Sequence, residues 1–225
     1  PVSSMGTARY GIGGAGTQTA ALGFGGYTPG LGYLSQTEKW NGTTWSPVTS
    51  MNRANWFIGG IGTQTAALGY GGYTPAYGGY DALTESYNGS TWTNKNNMNT
   101  ARMNLGHAGT QTAALGFGGQ NPGNVANAET FNGTTWLAIT ALNNPAAVNT
   151  GSGTQTAALA FGLSASNTKT EAWNGTSWTS LADSSLTMAQ GNGSSQSSAI
   201  GTTWTAQTQI WSGAGSPLIQ TITTS

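Results

Sequence analysis

Four glutamates recur at one equivalent position along the chain and could act together as cation ligands. They are Glu38, Glu85, Glu129 and Glu171, with Gln209 at a fifth such position. Oxygen ligands arranged around an axis suit a hard cation such as Ca²⁺. Each glutamate, however, shares its predicted strand face with an aromatic residue two positions later. This favours a side chain directed between sheets that accepts backbone or arginine hydrogen bonds, so we predict no metal site and no cofactor.

A second set of residues has the chemistry of carbohydrate recognition. Its members are Tyr27, Tyr33, Tyr73, Tyr77, Tyr80, Asp81, Arg9, Arg53, Trp56 and Arg102. Exposed Tyr and Trp rings stack on sugar rings, and neighbouring Arg and Asp groups bond to sugar hydroxyls. Alternatively, the tyrosines pack over Pro29 and Pro75 to order glycine-rich loops. The residues alone leave both interpretations open.

Residues for catalysis are sparse. His107 is the single histidine and there is no cysteine, so neither a multi-histidine metal site nor a thiolate nucleophile is available. Asp81 and Asp183 are the only acids outside the repeating position, and they lie far apart in the chain. Because hydrolysis by paired carboxylates needs two such groups close together, we predict that the protein is not an enzyme.

An internal repeat positions all of these residues. The segment Gly16–Leu22 (GTQTAAL) recurs with its glutamine at Gln18, Gln64, Gln111 and Gln155, and in degenerate form at Gln196. A second anchor, of the form Asn-Gly-Thr-Thr-Trp, follows the first four copies and ends at Trp45, Trp92, Trp136 and Trp178. We expect these tryptophans to pack between repeats. Repetition at a period of roughly 45 residues is typical of propellers and solenoids.

Each repeat is predicted to form four antiparallel strands. In the first, strands are expected over 10–16, 19–26, 36–40 and 45–51, with turns at Thr17-Gln18 and Asn41-Gly42. The approximate repeats are 6–51, 52–98, 99–142, 143–185 and 186–225 of a single domain spanning 1–225. Four strands per repeat is the blade of a β-propeller, so the predicted fold is all-β, a five-bladed propeller.

The order of anchors resembles the Kelch repeat. It runs from Arg9 through Leu22–Gly26, then Glu38 and Trp40, to Trp45, Val48 and Met51. The variant with GTQTAALGFGG and NGTTW resembles Kelch-like arrays in virion proteins of marine bacteriophages. The likeness covers nearly the whole chain and departs at Leu163, where the second glycine is missing, and in the fifth copy. It implies a propeller closed by its chain ends.

Two segments compete for the closing strand of the last blade, and we favour the N-terminal one because the fifth repeat lacks the tryptophan that ends the second anchor. Residues 1–5 align with 47–51 and could complete it from the N-terminus. Residues 216–222 occupy the place where the fifth repeat's own fourth strand belongs. A third possibility is that the chain is a fragment of a longer array.

Strand alternation places the loops after strands two and four on one face. The loops after strand two are aromatic in the first two repeats and lack aromatic residues in the third and fourth, at 120–128 and 164–168, so the candidate binding residues gather in the first two. Only 5% of residues are charged and the formal net charge is zero, which argues against nucleic-acid binding. No apolar run is long enough to span a membrane.

We expect an extracellular or virion-associated module that recognises a cell-surface glycan or protein, with other virion or fibre chains as further partners. The alternative is a structural spacer without a specific ligand.

Overall fold

A computed structural model describes residues 3–147, 150–163 and 168–183, together with the backbone of four later strands. The protein is all-β in these residues and contains several four-stranded antiparallel sheets, an arrangement compatible with a propeller. Its chain divides into two compact units. The first comprises Pro1–Asn104, Thr110–Thr112 and Phe131–Leu137, and the second comprises Leu105–Gly109, Ala113–Thr130 and Ala138–Ser225.

The strands follow the five sequence repeats. The first repeat contains β1 (Gly13–Thr17), β2 (Ala20–Phe24), β3 (Tyr27–Thr28), β4 (Gly32–Tyr33), β5 (Thr37–Trp40) and β6 (Trp45–Val48). The second contains β7 (Gly59–Thr63), β8 (Ala66–Tyr70), β9 (Tyr73–Thr74), a 3₁₀ turn (Pro75–Tyr77), β10 (Gly79–Tyr80), β11 (Thr84–Tyr87) and β12 (Trp92–Asn94). The third contains β13 (Gly106–Gly109), β14 (Ala114–Phe117), β15 (Ala128–Phe131) and β16 (Trp136–Ile139).

The last two repeats continue the same pattern. The fourth contains β17 (Thr150–Gly153), β18 (Ala158–Leu163), β19 (Lys169–Trp173) and β20 (Trp178–Ser180). The fifth contains β21 (Gln190–Ser195), β22 (Ser198–Thr202), β23 (Thr208–Ser212) and β24 (Pro217–Gln220). In each of the first three repeats the four long strands form a separate sheet in the predicted order.

The two hairpin turns differ in detail from the sequence prediction. Thr17 pairs with Ala20, so the first turn is centred on Gln18-Thr19 rather than Thr17-Gln18. Trp40 pairs with Trp45, which leaves a loop of Asn41–Thr44 in place of a two-residue type I′ turn. Only Gly42 has positive φ there, while the Asn41 Oδ1 atom accepts hydrogen bonds from the Thr43 and Thr44 amides. The asparagine therefore acts as an Asx-turn acceptor, and the glycine alone takes the left-handed conformation.

Glycine brings the first strands of adjacent repeats together in the first unit. A Cβ atom added to Gly60 in β7 would overlap the backbone of Gly14 in β1. At the glycines of the second strand the neighbours are side chains instead: an added Cβ on Gly69 would lie 3.0 Å from the Phe24 ring. Bare backbone is thus needed where two strands meet face to face.

Tryptophan packs between repeats, as predicted. The Trp92 ring lies 4.9 Å from that of Phe24 in the preceding repeat, and its indole nitrogen donates to the Thr37 hydroxyl. Trp136 repeats both contacts, with the Tyr70 ring at 4.8 Å and the Thr84 hydroxyl. In the second unit, the Trp178 ring lies 5.1 Å from that of Phe117.

The repeating glutamine joins one repeat to the next. The Gln64 side-chain amide donates to the carbonyl oxygens of Ala21 and Trp40, which are paired across β2 and β5. Gln111 donates in the same way to Ala67 and Tyr87, at 2.9 and 2.6 Å. One side chain therefore satisfies two backbone acceptors of the preceding sheet.

The recurring glutamates are structural, as their strand face predicted. Glu38, Glu85, Glu129 and Glu171 are all buried. Oxygens of Glu85 accept from the backbone amides of Asn52 and Arg53 at 2.8 and 3.1 Å. Burial raises the pKa of Glu85, although these hydrogen bonds and the Arg53 charge oppose the shift. Glu38, Glu85 and Glu171 each accept from a backbone amide of the segment that enters their repeat.

The fourth and fifth repeats share one eight-stranded sheet. β17 and β21 pair in parallel, with Gly151 opposite Asn192 and Ser152 opposite Gly193; glycines in both strands allow the backbones to come this close. β24 (Pro217–Gln220) pairs with β23 as a fourth strand, within the segment 216–222 that is the C-terminal candidate. Residues 1–2 and Gln196 lie outside the described residues, and Ser3–Met5 form no strand.

Replacing Gln64 by alanine tests the glutamine bridge between repeats. Gln64→Ala leaves two carbonyl acceptors without their donor, so we expect a loss of about 1–3 kcal/mol in the free energy of unfolding. Urea denaturation followed by circular dichroism measures the loss. Thr65→Ala, at an exposed position in the same turn, is the control and should change stability by less than about 0.5 kcal/mol. Equal effects of the two variants would contradict the bridge.

Candidate functional site

Two backbone pairs bring the predicted loops together in the first unit. Tyr10 and Tyr27 exchange two backbone hydrogen bonds, of 3.1 and 2.9 Å, and Trp56 and Tyr73 do the same at 3.1 and 2.8 Å. In each pair, the residue that leads into a first strand meets the residue that follows a second strand. This confirms, for the first two repeats, that the two kinds of loop lie on one face.

Trp56 lies at the centre of a cluster of seven aromatic rings, which we call the aromatic patch. Its members are Tyr10, Tyr27, Tyr33, Trp56, Phe57, Tyr73 and Tyr80. Trp56 contacts five of the other rings, with centroid distances between 4.2 Å to Phe57 and 6.3 Å to Tyr73. Tyr80 joins through Tyr73 at 5.4 Å. The tyrosines therefore pack mainly on one another, which both orders the loops and concentrates their hydroxyls.

The patch is partly open to solvent. Tyr10 is 52% exposed, and the other six rings are of intermediate exposure. Exposed large hydrophobic side chains gather in this unit, where Leu31 and Tyr77 occupy the β3–β4 and β9–β10 connections. Concentrated apolar exposure of this kind marks interaction sites more often than it marks ordinary surface.

The backbone before β1 and β7 is left-handed so that Trp56 can be accommodated. Gly11 has φ of 65° and Phe57, at the corresponding place in the second repeat, has φ of 50°. A Cβ atom on Gly11 would overlap the Trp56 indole. Phe57 accepts the strained conformation while its ring lies 4.2 Å from that of Trp56.

Asn55 fixes the backbone that carries Trp56. It is fully buried, and its carbonyl oxygen accepts from Gly26 while its side-chain amide donates to the Gly71 carbonyl oxygen at 3.0 Å. Its Oδ1 atom accepts from the Trp56 amide at 2.9 Å. Asn55 thus ties the Trp56 backbone to both repeats, through its backbone carbonyl to the first and through its side chain to the second.

The ion pair of Arg53 and Asp81 lies beside the patch. Arg53 Nη1 is 2.8 and 2.6 Å from the two carboxylate oxygens of Asp81, and its guanidinium carbon lies 4.1 Å from the centroid of the Tyr77 ring. Asp81 also accepts from the Leu83 amide at 3.0 Å. Tyr77 itself is 61% exposed and stands at the end of the 3₁₀ turn.

Arg9 and Arg102 are placed differently from what we predicted. The Arg9 side chain is buried, 3.1 Å from the Glu38 carboxylate, and burial lowers its pKa against the effect of that partner. Arg102 is fully buried as well. When the repeats are aligned on their glutamines, Arg9 and Arg102 occupy the position of Asn55, whereas Arg53 occupies the position of Thr7 and Thr100. Because Arg53 stands at a different position of the repeat, it alone of the three arginines reaches the face. Neither buried arginine can contact a ligand in this structure.

Burial raises the pKa of three tyrosines, Tyr33, Tyr70 and Tyr87. Burial raises the pKa of Tyr33, and the nearby hydroxyls of Tyr73, Tyr27 and Tyr10 raise it further. Tyr70, in the core, has a pKa raised well above its ordinary value by burial, which the Arg102 charge only partly offsets.

Sequence reasoning missed three residues of the site. Tyr10 precedes Gln18 by the same interval as Trp56 precedes Gln64, so alignment on the glutamines could have identified it. Phe57 follows Trp56 directly, but its positive φ has no sequence signal. Asn55 acts only through tertiary hydrogen bonds.

His107 lies in β13, and the pKa of its ring is lowered by burial, although a hydrogen bond with the Leu105 backbone opposes this.

The described residues contain no cluster of three or more His, Asp or Glu side chains that could hold a metal ion. In the same residues, no helix is long and apolar enough to cross a membrane.

No protein-family model matches this chain, and comparison with curated proteins also finds no match. The propeller-like arrangement of sheets and the aromatic patch are accordingly supported by the chain's own repeats and contacts.

Gly11→Ala tests the packing around Trp56. The added methyl group meets the indole, and alanine disfavours φ of 65°, so we expect a loss of about 1–3 kcal/mol in unfolding free energy and a weaker near-ultraviolet circular dichroism signal. Gly30→Ala is the matched control, because an added Cβ there meets nothing within 4 Å. If both variants melt like the original protein, the described packing is incorrect.

Alkaline titration tests the buried phenols. A raised folded-state pKa means that the neutral phenol contributes stability below about pH 10, and that this contribution is lost as the pH rises further. We expect absorbance at alkaline pH to reveal a late group of tyrosines that includes Tyr33 and Tyr70, of which the fully buried Tyr70 ionises only as the protein unfolds. Tyr70→Phe, which installs the residue found in β2, β14 and β18, should remove one of the eight tyrosines from the late group. A single titration near pH 10 for all eight would contradict the prediction.

Proposed function

We propose that this protein is a non-enzymatic binding module that recognises a cell-surface glycan or protein through the aromatic patch, with the glycan favoured. The observation that carries the proposal is the Trp56-centred cluster of partly exposed rings. Aromatic rings beside hydrogen-bonding groups provide stacking surfaces for the apolar faces of sugars and donors for their hydroxyls.

Asymmetry between repeats supports a role beyond folding. The inter-repeat tryptophans, glutamines and glutamates recur through the chain, so they account for the architecture. The aromatic pair Tyr10 and Tyr27 of the first repeat, matched by Trp56 and Tyr73 in the second, is replaced by Met103 and Gln120 in the third. Residues that depart from the repeat are free of its packing requirement and can serve a ligand.

We also propose that the five repeats form the five blades of a Kelch-like propeller. The fifth repeat supports this, because Ala199 pairs with Trp211 in the same register as Ala21 with Trp40 and Ala67 with Tyr87. An extracellular or virion location, with other virion or fibre chains as additional partners, follows from the resemblance to phage Kelch-like arrays and from the low charge of the chain.

The competing function is a structural spacer without a specific ligand. It is supported by the contacts among the tyrosines, which would order these loops even if nothing bound there. A spacer needs the patch only for stability, so the two functions differ in what happens when an exposed ring is removed.

A glycan array tests the proposed function. The Tyr10→Ala and Tyr77→Ala double variant removes the most exposed ring of the patch together with Tyr77, which lies in the β9–β10 connection between the patch residues Tyr73 and Tyr80, and we expect it to lose at least about tenfold in affinity. Leu137→Ala is the control, since Leu137 is 66% exposed in β16 and lies outside the patch.

Thermal unfolding of both variants shows whether the fold is retained. Specific array binding that the double variant loses and the control keeps would support the module. If the unaltered protein binds nothing on the array, a glycan ligand has no support, and the spacer or a protein partner is favoured. Cross-linking on intact particles or cells would then distinguish these two possibilities.

A further inference from the structure

We infer that the ligand of the aromatic patch is an uncharged glycan, with Tyr77 as a preformed stacking platform for a neutral pyranose ring. This inference rests on the proposed function and adds the chemical class of the ligand.

Tyr77 has the rigidity and exposure that a platform requires. It ends the 3₁₀ turn Pro75–Tyr77, which the Gly78 amide closes by donating to the Pro75 carbonyl oxygen at 3.2 Å. The Arg53 guanidinium lies 4.1 Å from the ring centroid, while the side chain as a whole remains 61% exposed. A ring already held in place loses little conformational entropy when a ligand stacks on it.

The positive charge beside Tyr77 is already neutralised. Arg53 Nη1 contacts both oxygens of Asp81, at 2.8 and 2.6 Å, and the Asp81 side chain is only 8% exposed. An acidic sugar would have to compete for Arg53 and leave a nearly buried carboxylate without its partner, which is costly. The remaining guanidinium N–H groups can still donate to neutral hydroxyls.

No other cation compensates within the described part of this face. Arg9 is buried against Glu38 and Arg102 is fully buried, so neither can meet a carboxylate or sulfate group. The surface offers phenol hydroxyls instead, and those of Tyr10, Tyr27 and Tyr73 are near enough to Tyr33 to raise its pKa. Phenols both donate and accept, which matches the hydroxyls of an uncharged sugar.

The test compares matched neutral and acidic probes. The full chain is applied to hexose-terminated oligosaccharides and to the same oligosaccharides capped with sialic acid or sulfate, at low and high NaCl. We expect binding to the neutral probes, no gain from the acidic caps and a change of less than about twofold with salt. Tyr77→Ala should weaken binding about tenfold, and Tyr77→Phe should retain most of it because the ring remains.

Asp81→Asn examines the charge directly. It keeps an oxygen for the Leu83 amide but removes the negative charge from Arg53, so we expect acidic probes to gain about fivefold relative to neutral ones. Tighter binding of acidic than neutral probes by the unaltered protein would overturn the inference and leave the proposed function standing. Absence of binding to either set, with the protein folded, would overturn both.

Discussion

The contact between consecutive repeats is the interaction on which the rest of the structure depends. A four-stranded sheet of this length exposes an apolar face that it cannot bury alone. In the first unit that face is covered by an aromatic pair, Phe24 with Trp92 or Tyr70 with Trp136, and the edge is closed by a glutamine amide. Hydrophobic burial supplies most of the stabilisation, while the glutamine fixes the register at which two sheets meet.

This contact also explains the unusual composition. The inter-repeat interface consists of Trp, Phe and Tyr rings, glycine backbone and amide hydrogen bonds, and its one recurring charge is a buried glutamate satisfied by backbone amides. A chain built in this way needs few charged side chains to fold. The same composition leaves few charged side chains for the surface, so the binding that we propose would depend on stacking and neutral hydrogen bonds.

The aromatic patch is built on the same interface between repeats. Asn55 and Trp56 belong to the segment that passes from the first repeat into the second, so the position of the indole is set by the fit between the two sheets. The strained φ of Phe57 is tolerated because the surrounding hydrogen bonds and rings determine it. The packing of the two sheets therefore holds the rings of the patch in place.

The sequence by itself determined the five repeats, the all-β class, the four strands per repeat and the structural role of Trp92 and Glu85, because all of these follow from local periodicity. It also identified the loops that carry Tyr27, Tyr73 and Trp56. Tertiary structure alone decided that Arg53 is paired with Asp81 over Tyr77, while Arg9 and Arg102 are buried. The physical reason is that residue type reports the chemistry of a side chain, whereas its availability depends on neighbours that lie distant in sequence and meet only when the sheets pack.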